Sequence, residues 1–496
     1  MGVQHVRRAS TASGTPIQVE DLVSPRVRQL VHRLASRLNP QDACRVVIGL
    51  VYLRIRAQAE PLEGLDRPEG PTWPWLVELG KTSQQLGPHV RKALIHWLSP
   101  ALMPADAEAG RDLVPRLPAT VDEDLRGLVR AIDKVDRVGD LLEQCLRDLS
   151  DSQAKGGHYF TPRDLGTLMV AAAAPQDRHQ VLDPVCGSAG LLVEADRYVR
   201  EQTGLKPSLG LTGRDLHAGT LQIAQLNLSV RGIQADLGTP IDSLAQPSSR
   251  TYDIVLANPP FNDPSWGSEV SALEDPRWPG MPPPPRDRAG FAWMLHIAHA
   301  LAPRGRAVFL MADGAATGVR PAEQAIRQHL IREDLVEAVV ALPPGLFSHT
   351  RISCCLWVLN RDKSPHRGWG DTDRRGSVLF INARRAKERV PDTRQWRLTT
   401  DGAARVLRTL AAWRGSALAD GAHGHYEDEP GWCRSRAAED IAQLDYGLLP
   451  LAYASEQDDG NDSELWRIDD LKQELYGKLE EAHQLDLDLR RMLDAL

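Results

Sequence analysis

The sequence predicts an α/β protein, with a doubly wound, Rossmann-like domain preceded by a helical domain and followed by a C-terminal helical tail. Three observations predict it. Between residues 150 and 362, short apolar runs alternate with helical stretches, the pattern of a parallel sheet covered on both faces. A turn of small residues, Cys186-Gly187-Ser188-Ala189-Gly190, follows the apolar run Gln180-Val181-Leu182, as the first strand of such a fold requires. On either side of this region, apolar residues step by threes and fours, which is a helical period.

The elements follow in order. Residues 1–20 are rich in Ser, Thr and Gly and are expected to be disordered. Over 21–150, Val27, Leu30, Val31, Leu34 and Leu38, then Val46, Val47, Leu50 and Leu53, mark helices, with more around 85–98 and 122–149. Gly80-Lys81-Thr82 resembles the end of a phosphate loop, but Trp75 stands where the first glycine belongs and no apolar strand precedes it. Residues 151–415 form the predicted α/β domain. Within it, Asn262–Arg288 is a long loop with Trp266, Trp278 and a run of prolines, read either as the border of a ligand pocket or as a proline-rich surface loop. Arg367, Arg374, Arg375, Arg384, Arg385 and Arg389 make a basic stretch, suited to phosphate contact or to a solvated face. Residues 416–463 read as an irregular linker. Over 464–496, Ile468, Leu471, Leu475, Leu479, Ala482, Leu485, Leu489, Met492 and Leu496 form a coiled-coil-like seam, and its charged flanks suit docking to a partner.

Composition narrows the function classes. At 496 residues, 42% hydrophobic and 25% charged, the chain has an ordinary globular balance and length for two or three domains. No apolar run approaches the roughly 18–20 residues that span a bilayer, and no signal-peptide core stands at the N-terminus. The six cysteines are scattered without metal-ligand spacing, which predicts reduced thiols in the cytoplasm and no metal centre. A net charge of −7 is unexpected for a protein that grips nucleic acid alone, because phosphate neutralisation needs a basic footprint.

Two motifs carry chemistry. The small-residue turn lets a ligand approach the backbone closely, and Asp183 within it suits a cationic amino acid better than a pyrophosphate. Asp183 is therefore the candidate for the ammonium group of S-adenosylmethionine. Asp215, one strand further on, is the candidate for its ribose hydroxyls. The second motif is Asn258-Pro259-Pro260-Phe261, which ends the apolar run Tyr252–Ala257. Proline biases the residue before it to extended backbone, so Asn258 and Pro259 can offer a side-chain and a main-chain oxygen to one exocyclic amine. Phe261 can stack on the ring bearing that amine. Two acceptors on the N6 hydrogens of an adenine favour a more nucleophilic nitrogen in the transition state.

With these residues in hand, the chain resembles the N6-adenine DNA methyltransferases of gamma order, and within them the modification subunit of type I restriction–modification systems. The resemblance rests on Gly156-Gly157-His158-Tyr159-Phe160-Thr161-Pro162-Arg163, Asp183-Pro184-Val185-Cys186-Gly187-Ser188-Ala189-Gly190 and Asn258-Pro259-Pro260-Phe261. It is sharp over 150–362 and slight over the last hundred residues. It implies that Tyr159, Phe160 and Thr161 help bind the cofactor, as do Cys186 and Ser188, with Asp183 and Gly187 at its methionine end, Asp215 at its ribose and Asp242 near its adenine. Asp236 competes with Asp242 for that last place. Ala189 departs from the usual glycine, which matters only if the position needs a positive φ. Asp215 is one methylene shorter than the usual glutamate.

The expected function is site-specific adenine-N6 methylation of DNA, without a metal, by a cytoplasmic subunit that works with a sequence-specificity subunit. A second copy of the chain and a restriction subunit are further implied partners. Alternatives are methylation of RNA or of a protein glutamine, and a catalytically silent scaffold in a defence complex.

Overall fold

The structure is a computed structural model that describes residues 25–59, 71–102, 114–135, 161–246, 248–260, 266, 275–278, 281, 283–347, 352–366, 369–390, 396–416 and 424–455. Tyr159, Phe160 and Phe261 lie outside the described residues, as do the segments 1–20 and 464–496.

Among the described residues five helices come first: α1 (Pro25–Arg37), α2 (Pro40–Ala59), α3 (Trp73–Thr82), α4 (Gly87–Leu102) and α5 (Asp122–Asp133). Their apolar stripes close on a core of their own that includes Leu34, Val47, Leu50, Leu76, Leu94, Leu125 and Leu128. Asp124 of α5, buried, takes ion pairs from Arg33 and Arg37 of α1, both at 3.0 Å. Gly80-Lys81-Thr82 is the last turn of α3, and Lys81 pairs with Glu78 at 3.0 Å. It is not a phosphate loop.

The α/β region runs α6 (Arg163–Ala173), β1 (Gln180–Asp183), α7 (Gly190–Thr203), β2 (Gly210–Gly213), α8 (Ala218–Val230) and β3 (Tyr252–Ala257). Next come α9 (Ala289–His299), β4 (Leu301–Ala312), α10 (Gly314–Thr317), α11 (Pro321–Arg332), β5 (Val336–Ala341) and β6 (Cys354–Asn360). It ends with β7 (Ser377–Asn382), β8 (Lys387–Arg389), β9 (Trp396–Leu398), α12 (Thr400–Arg414), β10 (Cys433–Ala437) and α13 (Ala438–Gln443). One eight-stranded sheet has the order β10-β7-β5-β6-β4-β3-β1-β2, and β8 and β9 form a separate hairpin. The pairs β1–β2, β1–β3, β3–β4 and β5–β7 are parallel, whereas β6 runs antiparallel between β4 and β5.

Burial on both faces explains why the central strands read as unbroken apolar runs. Along β4, β5 and β6, Val308, Leu310, Ala338, Val340, Leu356 and Val358 enter the core under α6, α7, α8 and α12. The alternate residues Phe309, Met311, Val339, Trp357 and Leu359 enter the core under α9 and α11. Helix α8 serves two cores. Its Leu221, Ala224 and Leu228 pack on the sheet side, while Ile223 and Leu226 insert into the helical region. Each such residue contributes about 1.5–3 kcal/mol when fully buried, so α8 mortises the helical region to the sheet.

Two expectations change. The segment 416–463 contains β10 and α13, and β10 is the sheet's edge strand, antiparallel to β7. Its sequence, Cys-Arg-Ser-Arg-Ala, is too short and polar to announce a strand, because an edge strand buries little. Arg374 of the basic stretch faces neither phosphate nor solvent. It is buried against Glu337 at 3.4 Å. Arg375 pairs with Asp373, and Arg384 with Asp313. Among the described residues, no helix is long and apolar enough to cross a membrane.

Candidate active site

Strand order places the site. β2 lies on one side of β1 and β3 on the other, so the connections diverge there and leave a crevice at the carboxyl ends of the strands. Asp183, Gly213 and Ala257 end those three strands, and Asn258 follows at once.

The turn after β1 is held from several sides. Arg214 N donates to Asp183 O at 2.9 Å, and Cys186 N donates to Arg214 O at 2.8 Å, so the ends of β1 and β2 are stitched together. At Gly213 the packing is tight, since a Cβ there would lie 3.0 Å from Cys186 Sγ and 2.8 Å from Leu237 Cδ2 and would displace one of them. Asn227, buried on α8, donates through Nδ2 to Ser188 O at 2.7 Å. Ser243 Oγ donates to Pro184 O at 2.7 Å. Neither Asn227 nor Ser243 was singled out from the sequence. An asparagine amid the apolar positions of α8 was the available signal for the first.

Above this turn the space is open. Gly187 has φ +52°, and a Cβ on Gly187 or Gly190 would meet nothing within 4 Å. Ala189 also has positive φ, at 63°, just before α7 begins. The condition under which its departure from glycine matters is therefore met.

Three carboxylates stand around this turn. Burial pushes the Asp183 carboxyl up to about 8 against the pull of the Val185 N–H, and Asp215 adds to the rise. Val185 N donates to Asp183 Oδ1 at 3.1 Å. Asp215 accepts from Gly187 N at 3.2 Å and His217 N at 2.8 Å, which ties the β2 end to the β1 turn. Burial drives the Cys186 thiol well up, with Asp183 and Asp215 reinforcing it, so the thiol is no nucleophile. Asp242 accepts from Leu244 N at 2.9 Å and Ala245 N at 3.3 Å, and its neighbour Ile241 N donates to Asp215 O at 2.9 Å. Asp236 instead turns to Arg214, 3.1 Å away.

Across the crevice, Asn258 is half-buried and Pro259 buried. Asn258 Nδ2 donates to Thr161 Oγ1 at 3.1 Å. Thr161 precedes α6, whose Leu165, Leu168 and Met169 anchor it in the sheet core. Of the long loop 262–288, residues 262–265, 267–274, 279, 280 and 282 lie outside the described residues, and the remainder packs inward through Trp266, Arg277 and Trp278. Trp266 and Trp278 are buried in the core beneath the sheet, not turned to a pocket. Trp266 Nε1 donates to Pro285 O at 3.1 Å. Arg277, with a fully buried side chain, pairs with Asp275 at 2.5 Å and donates to His296 Nδ1 at 3.2 Å. Burial, with Arg277 adding, pushes His296 down to about 3, so it stays neutral and can accept. Among the described residues no cluster of His, Cys, Asp and Glu has the makings of a metal site.

The structure thus gathers Thr161, Asp183, Cys186, Gly187, Ser188, Asp215, Asp242, Asn258, Pro259 and Pro260 along one edge of the sheet. Comparisons with known proteins place the chain among relatives of one kind. The family described as N-6 DNA Methylase matches residues 133–462. The type I restriction enzyme HindI methylase subunit of Haemophilus influenzae is 36% identical over 335 residues, covering 66% of this chain and 70% of that protein. The MjaIX methylase subunit of Methanocaldococcus jannaschii is 30% identical over 374 residues, 73% of this chain and 63% of its own length. A type I restriction-modification methyltransferase subunit from Streptococcus thermophilus shares the fold with a TM-score of 0.66 and 18% identity, over 87% of this chain and 98% of that one.

Proposed function

Since the chain belongs to the N-6 DNA methylase family, we propose that it transfers a methyl group from S-adenosylmethionine to adenine N6 in DNA, as the modification subunit of a type I restriction–modification system. The observation that carries this reading is Asn258 at the end of β3, facing an open small-residue turn with an uncompensated buried carboxylate, Asp183, at the end of the adjacent β1.

The residues fit the cofactor. Asp183 is buried and pushed toward its neutral form, so a cationic ammonium group is the partner it lacks. Gly187 and Gly190 leave the backbone bare on the open side, and Asp215 has the place of the ribose acceptor. The segment carrying Asp242 is bonded to both Asp215 and Pro184, which favours Asp242 over Asp236 at the adenine end. When bound, S-adenosylmethionine supplies an electrophilic methyl group.

The protein's own work is positioning. A target adenine has to leave the helical stack to reach the crevice. Thr161 takes the Asn258 amide nitrogen, so Asn258 Oδ1 is the free acceptor for one N6 hydrogen, and the Pro259 carbonyl accepts the other. Phe261 is assigned to the base ring. By this reading the rate comes from orientation and preorganised acceptors. A specificity subunit and a restriction subunit complete the proposed assembly. Sequencing host DNA with and without the gene tests the proposal: N6-methyladenine at a defined site should vanish with the gene, and its persistence would overturn the assignment.

A further inference from the structure

Because β3, β4, β5 and β7 run in the same direction, the carboxyl end of β7 lies on the same edge of the sheet as Asn258. There the chain turns from Asn382 through the β8–β9 hairpin into α12, and a groove of about 620 Å³ opens between these elements and the segment 429–432. Arg385, Arg405 and Arg408 line it, against Asp401 and Glu429. The hairpin that continues from it adds Lys387, Arg389 and Arg397 against Glu388.

The surface therefore carries an excess of positive charge on a chain whose net charge is −7. Two of its carboxylates are already engaged, Glu429 with Arg405 at 2.5 Å and Glu388 with Arg397 at 2.6 Å. Arg408 is exposed on the face of α12 one turn beyond Arg405, and among the described residues it forms no ion pair. Two of the cations are also held rigidly. The Arg405 guanidinium lies 4.0 Å over the Trp432 ring, and Lys387 Nζ 4.6 Å over Trp396. Cations fixed on aromatic rings lose little freedom when an anion arrives.

We infer that this surface grips the phosphate backbone of the same duplex whose adenine enters the crevice, at a fixed distance from that base. The inference rests on the proposed action on DNA and adds where the backbone is held. Four strand spacings of about 4.8 Å separate β3 from β7, or roughly 19 Å. At about 3.4 Å of duplex axis per base-pair step, a duplex lying along this edge of the sheet has its gripped phosphates roughly five to six steps from the target adenine.

The test uses the complex purified through a tag on the full chain, with a 30-base-pair duplex carrying its methylation site as probe. Arg385→Glu and Arg408→Glu are combined, since both residues are exposed and lie away from the crevice. Fluorescence anisotropy should show duplex affinity reduced roughly tenfold or more, and the slope of log K against log salt shallower by about two. Phosphate-ethylation interference should lose its signals five to six steps from the adenine and keep those beside it. Unchanged S-adenosylmethionine affinity by calorimetry reports an intact fold. Equal affinity, slope and interference pattern in the variant would overturn the inference. Binding is read without turnover, so the two readings fail separately. A complex that holds duplex through these residues yet transfers no methyl group would sink the proposed function and uphold the surface.

Discussion

Among the described residues Asn258 is held by its amide nitrogen, through Thr161 Oγ1 at 3.1 Å, which leaves its oxygen to accept. By the proposed mechanism Asn258→Ala removes an acceptor whose bond strengthens in the transition state, and the methylation rate should fall on the order of 10²–10³-fold. Cofactor affinity should barely change. A tritium-transfer assay showing near-normal turnover would refute the role. Asp183 gives a second prediction, from its carboxyl pushed up to about 8 by burial. At pH 7 most of the unliganded protein has a neutral Asp183, so pairing with an ammonium requires the proton to leave. Cofactor binding should release close to one proton at pH 7, and affinity should rise with pH until about 8 and then fall as the cofactor's own ammonium group loses its proton. At pH 7 the ionisation costs about 1.4 kcal/mol, one unit below that value. Calorimetry in buffers of different ionisation enthalpy measures the release. Asp183→Asn should abolish it and weaken the cofactor, and a wild-type release of zero would remove Asp183 from the ammonium site.

For the elements, the turn between β1 and α7 shows how competing terms cancel. Ala189 sits at φ 63°, a left-handed conformation that costs an alanine roughly 1–2 kcal/mol. Its methyl is fully buried, worth about 0.8 kcal/mol, and glycine would add a backbone-entropy cost of roughly 0.5–1 kcal/mol. Ala189→Gly should therefore leave stability within about 0.5 kcal/mol of the parent by urea denaturation. Ala189→Val should cost more than about 2 kcal/mol, because a β-branched residue is strained at positive φ and overfills the site. A clear loss in the glycine variant would mean that packing, not backbone conformation, selects the residue. The same balance explains how this chain departs from glycine and keeps the turn.

At the scale of the whole molecule, the edge of the sheet opposite the crevice is held by one carboxylate among three guanidiniums. Glu337 lies 3.1 Å from Arg306, 3.1 Å from Arg414 and 3.4 Å from Arg374, all buried. These residues join β4, β5, the segment before β7 and the end of α12, so the cluster ties the later half of the sheet together. Burial pushes the Glu337 carboxyl up, but Arg306, Arg414 and Arg374 outweigh it and bring it down to about 2. A depressed carboxyl stabilises the fold above its unfolded value, about 4.5, and that stability is lost as pH falls through the folded value. Stability should decline between about pH 4.5 and 2, by about 3 kcal/mol from this group. Glu337→Gln leaves buried cations uncompensated and should cost about 3–5 kcal/mol at pH 7 while flattening that acid limb. An unchanged acid limb in the variant would assign it to other carboxylates.

Read alone, the sequence determined the fold class and offered the motifs from which the candidate site is built. Both are written in contiguous residues: the central strands are apolar without a break, and the turn after Asp183 and the Asn258 tetrapeptide are short local motifs. What only the tertiary structure decided involves partners far apart in the chain. Thr161 reaches Asn258 across 97 positions, Asn227 props the turn at Ser188 from 39 positions away, and Arg414 meets Glu337 from 77. A basic stretch read as one surface divides the same way, with Arg374 drawn inward and Arg384 turned to Asp313, because sequence neighbours in loops face different directions. The edge strand β10 escaped notice because pairing with β7, and not its own apolar content, makes it a strand. Local composition sets propensity and chemistry, whereas burial and long-range pairing are properties of the packed chain and take their values only when it closes on itself.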